Sequence, residues 1–117
     1  VNQPLSRSTA PHYVWGQGCD GWHLEQSETL SVIEERMPPG SQEVRHSHGR
    51  ARQVFYTLEG TLTLELSGVP LELGPGHSLS IAPGCPHQAM NVSDSDVRFL
   101  VISTPPAQGD RQSEPPV

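Results

Sequence analysis

The chain has 117 residues, 33% of them hydrophobic and 17% charged, with 11 glycines and 12 prolines, which fits one domain of short strands and tight turns. That composition excludes a coiled coil and a highly charged disordered chain. With net charge −6 and all basic residues Arg in no block, no nucleic-acid partner is expected, and without an apolar span or leader the expectation is a soluble, cytoplasmic protein with no membrane partner.

In chain order, residues 1–20 read as an N-terminal arm, 21–104 as the folded domain and 105–117 as a flexible, proline-rich tail. The cluster Cys19-Asp20-Gly21-Trp22-His23 opens the domain. Trp22 or His23 can line a pocket or add a ligand, but an N-terminal strand packing its aromatic is the simpler expectation. Short alternating runs follow, at Leu30–Ile33, Val54–Leu58, Leu79–Ile81 and Val97–Ile102, and no helical period lasts beyond about two turns. The clearest element is a hairpin. With Ser67 and Gly68 as a two-residue turn, Leu66 faces Val69, Leu64 faces Leu71 and Leu62 faces Leu73, which puts six apolar residues on one face. Pro70 cannot donate to a ladder, so its strand belongs at an edge. Strands at this spacing predict an all-β antiparallel sandwich or barrel. Cys19 and Cys85 are too few for a disulfide scaffold; a reduced pair is expected, with a bridge between them as the alternative.

His46 and His48 stand two apart, which on a strand sends both rings to one face. Gln53 follows, and His87 comes much later, after the turn Pro83-Gly84-Cys85-Pro86. Two imidazoles from one strand and one from another can cap a divalent ion, where unrelated histidines would not be expected to share flanking residues. The flanks here run Gly40, five residues, His46-Ser47-His48, four residues, Gln53, six residues, Gly60. Later come Gly76, five residues, Ala82-Pro83-Gly84, two residues, His87, three residues, Asn91. These segments resemble the two motifs of the cupin family, G(X)5HXH(X)4E(X)6G and G(X)5PXG(X)2H(X)3N. Gln53 replaces the Glu of the first, and Ala82 replaces the first Pro of the second.

The resemblance implies a small antiparallel jelly-roll β-barrel whose mouth holds one divalent metal ion, Zn, Mn, Fe, Ni or Cu. It implies ligands His46, His48 and His87, with Gln53 in the carboxylate's place, and turn glycines at Gly40, Gly60, Gly76 and Gly84. A neutral amide leaves the site more positive, weakens metal binding and makes a retained metal more Lewis-acidic. Alternatively Gln53 only hydrogen-bonds a water in the site, or the site is empty and its histidines relics. Asn91 matches the closing Asn of the second motif; as the start of Asn91-Val92-Ser93 it is not expected to carry a glycan in a cytosolic protein.

Among other residues, His77 is expected on an exposed turn and His12 in the arm. Cys85 is expected as a turn thiol more than as a ligand. Phe55, Tyr56, Met90 and Phe99 suit either the pocket wall or the core. Arg50 and Arg52 can hold a substrate carboxylate, though a solvated loop accounts for them as well. No residue stands out as a general base. The expected function is action on a small, aromatic or polyketide-like organic molecule, as a dioxygenase or a Lewis-acid isomerase or cyclase. The alternative is a non-catalytic module that binds or senses a ligand. A homodimer is expected, because small jelly-rolls leave sheet edges to cover.

Overall fold

Period-two patterning organises the whole chain. The structure, a computed structural model describing residues 2–117, contains eleven strands and no helix among the described residues. They are β1 (His12–Trp15), β2 (Cys19–Gln26), β3 (Ser31–Met37), β4 (His46–His48), β5 (Arg52–Glu59), β6 (Leu62–Leu66), β7 (Val69–Leu73), β8 (Ser78–Ile81), β9 (His87–Met90), β10 (Val97–Thr104) and β11 (Arg111–Ser113). Two antiparallel sheets form, in the orders β1-β2-β3-β10-β5-β8 and β11-β4-β9-β6-β7. Crossing between sheets in this way makes the jelly-roll expected from the sequence.

On β10 the residues that point inward are Val97, Phe99, Val101 and Ser103. The first three join the apolar core with Phe55, Leu62 and Leu64, and Ser103 marks where the interior turns polar. One end of the sandwich is therefore packed with hydrocarbon, and each buried Phe or Leu there contributes about 1.5–3 kcal/mol. The other end is lined by polar side chains.

The hairpin pairs as predicted, Leu66 with Val69, Leu64 with Leu71 and Leu62 with Leu73. Ser67 and Gly68 have φ of 50° and 91°, the left-handed pair that a two-residue turn between twisted strands requires. β7, which carries Pro70, is an edge strand. The polar face of β6 is not left to water, however: Thr63 and Glu65 are buried, and Arg45 forms a two-pronged ion pair with Glu65 at 2.6 and 3.1 Å. Both cysteines are free, Cys19 deep in the core and Cys85 partly covered.

Both ends differ from their sequence reading. Part of the expected arm forms β1 and the start of β2, which extend the larger sheet past β3. The expected flexible tail supplies β11, which pairs with β4 along Arg111–His48, Gln112–Ser47 and Ser113–His46. Polar contacts fix it. The Asp110 carboxylate accepts from the Arg50 and Ala51 amides, and Ser47 Oγ donates to Glu114. Composition hides such a strand, because backbone pairing and side-chain capping need no apolar residues.

Candidate metal centre

β4 and β9 lie side by side with His46 directly opposite His87, and period two brings His48 to the same inner face. The ring centroids stand 4.4 Å apart for His46 and His87, 4.8 Å for His46 and His48, and 5.9 Å for His48 and His87. One ring nitrogen from each lies within 4.8 Å of the others. Small ring rotations therefore bring all three onto one ion.

Each ring is nearly sealed from water, His87 at 1% exposure. His46 Nδ1 meets the Val44 carbonyl at 2.7 Å, and His87 Nδ1 meets the Cys85 carbonyl at 2.9 Å. With Nδ1 donating in both, Nε2 carries the lone pair, as ligating histidines require. The Nε2 atom of His87 is buried without a partner, as is Nδ1 of His48. Burial also keeps the rings neutral. It pushes His46 down to about 3, with the neighbouring His87 adding to the effect and the Val44 bond opposing it. His48 and His87 are lowered for the same leading reason.

Gln53 reaches the same space from β5 in the opposite sheet. Its Nε2 donates to Ser103 Oγ at 3.0 Å, which fixes the amide orientation and leaves Oε1 buried and unpartnered. Gln53, His46 and His48 line one cavity of about 260 Å³. Three neutral imidazoles, and a buried, unpartnered amide oxygen on a residue lining the same cavity, suit a borderline divalent cation. The donor set fits a metal ion.

Of the other sequence candidates, Phe55 alone joins this cavity. It packs edge-on to His87, whereas Phe99 is wholly in the core. Tyr56 is exposed, and Met90 borders a different groove. Arg50 is 73% exposed and pairs with Asp110, and Arg52 also faces solvent, so neither reaches the cavity. Cys85 contributes its carbonyl to His87, with its thiol near Ser67 Oγ at 3.2 Å. His77 is exposed and accepts a bond from the Gly74 amide. Trp22 faces outward against His12 and Arg7. His23 turns inward beside Tyr13, bordering a neighbouring cavity and not the triad. Asn91 is fully engaged, its Nδ2 donating to the carbonyls of Met37 and Ser95, so it ties β3 to the β9–β10 turn.

Three charged cavity residues escaped the sequence reading: Glu35, Glu43 and Arg111. Burial raises Glu35 to about 7, although bonding from Tyr13 and the charge of Arg111 pull the other way. Burial raises Glu43 to about 8, with Glu35 contributing, and its Oε2 accepts from the Ala89 amide at 2.8 Å. The signal for Glu35 was present. It stands between Ile33 and Met37 at two-residue spacing, a charged residue on the face that carries the core residue Met37.

Residues 33–103 match the family model of the Cupin domain. Among curated proteins, an uncharacterised protein of Methanocaldococcus jannaschii, MJ1618, is 30% identical over 76 residues, covering 65% of this chain and 61% of that one. YobQ of Bacillus subtilis, an uncharacterised HTH-type transcriptional regulator, is 36% identical over 61 residues, 51% of this chain. The chain spans under two thirds of the first of these relatives and 24% of the second. Among solved structures, the polyketide cyclase RemF of Streptomyces resistomycificus superposes with a TM-score of 0.86 at 20% identity, over 100% of this chain and 88% of that one. At that identity the likeness establishes the fold.

Proposed function

Since the chain belongs to the cupin family, with its Cupin domain at residues 33–103, we propose that it binds one divalent metal ion and acts on a small oxygenated organic molecule. His46, His48 and His87 would hold the ion, with the Gln53 amide oxygen as a fourth donor. The carrying observation is the convergence of three buried, neutral imidazoles whose nitrogens lie within 4.8 Å.

A divalent ion there supplies Lewis-acid activation of a ligand oxygen and, if redox-active, access to dioxygen chemistry. The remaining roles belong to the chain itself. Phe55 and Val101 give the cavity an apolar wall that favours a ring or hydrocarbon face. Ser103 holds the Gln53 amide in one orientation. Glu35 and Glu43 bring carboxyls that can carry a proton near neutral pH. A set of neutral donors leaves the dication's charge uncompensated, which favours a ligand that binds as an enolate, phenolate or carboxylate. These features support an isomerase or cyclase reading over simple capture, because a passive binding pocket has no need of carboxyls held part-protonated. A homodimer, formed through sheet edges, completes the proposal.

Elemental analysis of the purified chain tests the reading. One metal ion per chain is expected, falling at least tenfold in occupancy in His87→Ala at equal protein folding. A metal-free wild type, or a His87→Ala variant that keeps its metal, overturns it.

A further inference from the structure

Across the first three strands, Tyr13 lies opposite Gly21 and Gly21 opposite Glu35, so the three positions share one face. The row continues to Phe99 on β10, which is fully buried, so this is the inner face. Gly21 matters by what it lacks. A Cβ there would overlap the ring and hydroxyl of Tyr13. Through that gap the Tyr13 hydroxyl crosses β2 and donates to Glu35 Oε2 at 3.0 Å.

Glu35 lines the same 260 Å³ cavity as His46, His48 and the unpartnered Gln53 oxygen. Tyr13 borders a second cavity of about 420 Å³ that shares Ser31 and Gln108 with the first. Its neighbour Glu34 points the other way and is neutralised by Arg7 and Arg98. Among the described residues only a phenol bonds to Glu35, an arrangement that suits a carboxyl that must gain and lose a proton.

We propose that Glu35 is the proton-transfer residue of this cavity, acting on an α-hydroxy or otherwise enolisable ketone bound against the histidine triad, with Tyr13 as its positioning residue. The inference rests on the triad being a metal site. A carbonyl oxygen held there acidifies the adjacent C–H bond. In the step itself that C–H bond breaks, its electron pair passes into the enolate, and the proton forms an O–H bond on Glu35. Return of the proton to the carbon or the enolate oxygen restores the carboxylate, so nothing is oxidised or reduced and no co-reactant is consumed. Burial holds the Glu35 carboxyl near 7, so both forms are populated at neutral pH. The groups facing it are Tyr13 from β1, Cys19 from β2, Glu43 from the segment before β4, and Arg111 from β11.

The test uses the full chain loaded with zinc in D2O, with 2-hydroxyacetophenone as probe. Deuterium uptake at the carbon next to the carbonyl is followed by NMR, and zinc per chain is measured in parallel. The wild type should exchange faster than buffer with equal free zinc. Glu35→Gln should lose about 100-fold or more of that excess while keeping its zinc. Gly21→Ala keeps both residues but displaces the phenol, and Tyr13→Phe removes the hydroxyl. Each should move the midpoint of the exchange pH profile upward, because a bond that favours the carboxylate is lost. Unchanged exchange in Glu35→Gln, no exchange by the zinc-loaded wild type, or loss of zinc from Glu35→Gln overturns the proposal. A wild type that takes up no zinc removes the triad reading along with it. Bound zinc without Glu35-dependent exchange removes this inference alone.

Discussion

Gln53 shows how much one side chain decides. Its amide nitrogen is tied to Ser103, its oxygen is buried without a hydrogen-bonding partner, and the residue lines one cavity with His46 and His48. Gln53→Glu would put a carboxylate where the proposed site has a neutral amide. Metal affinity is expected to rise on the order of tenfold, since ligand charge count sets much of the affinity for divalent ions, and competition with a chromophoric chelator measures it. Glu35 makes a prediction of a different kind. Burial raises its pKa from 4.5 to about 7, so the folded chain keeps a proton over a range where the unfolded chain has released it. Stability therefore falls as pH rises from about 4.5 through about 7. Gln cannot ionise, so Glu35→Gln should gain on the wild type between pH 5 and pH 8, by up to about 3 kcal/mol in urea unfolding of the metal-free protein. The three histidines were legible in the sequence because their spacing and flanking glycines repeat a pattern. Glu35 was legible only in part: it stands at two-residue spacing from Ile33 and Met37, but Glu34 beside it carries the same charge, and which of the two points inward is settled only by the register of β3.

At the scale of elements, turns and pairing carry the architecture. Gly60, between β5 and β6, has φ of +79°, and a Cβ there would run into the Asp96 carbonyl and the Val97 backbone. Gly76 has a similar φ of +82° but open space around it. Gly76→Ala should therefore cost only the left-handed strain, about 1–2 kcal/mol, whereas Gly60→Ala adds a clash with unyielding backbone and should cost more. Thermal melts of the two variants give the comparison, and equal losses would contradict it. The hairpin was readable down to its register, because six alternating apolar residues around Ser67-Gly68 allow only one pairing that hides them. β1 and β11 were not readable. Each is held by backbone pairing and polar contacts, and β11 in particular has no buried residue for a hydrophobic pattern to reveal.

The whole molecule divides into an apolar end that provides stability and a polar end that holds the three histidines. Stability from Phe99, Leu62 and Leu64 allows His46, His48 and Gln53 to be buried at a cost the core offsets. The larger sheet has β1 at one end, whose outer edge has no partner strand among the described residues and whose Val14 is 70% exposed. An uncovered, partly apolar edge is the feature a second copy would cover in the proposed homodimer. Light scattering at micromolar concentration should give twice the 12.7 kDa chain mass, and a Val14→Lys change should shift it toward that of the monomer.

The sequence by itself determined the strand alternation, the hairpin register, the turn glycines and the three histidines, because each rests on local spacing that the backbone converts directly into direction. Only the tertiary structure decided which polar groups share the space between the sheets: Gln53 in one cavity with His46 and His48, Glu35 with Tyr13 through the gap at Gly21, and Arg111 brought over from the chain's end. Those meetings depend on how strands far apart in the chain are ordered and registered in the sheets, and no local pattern records that order.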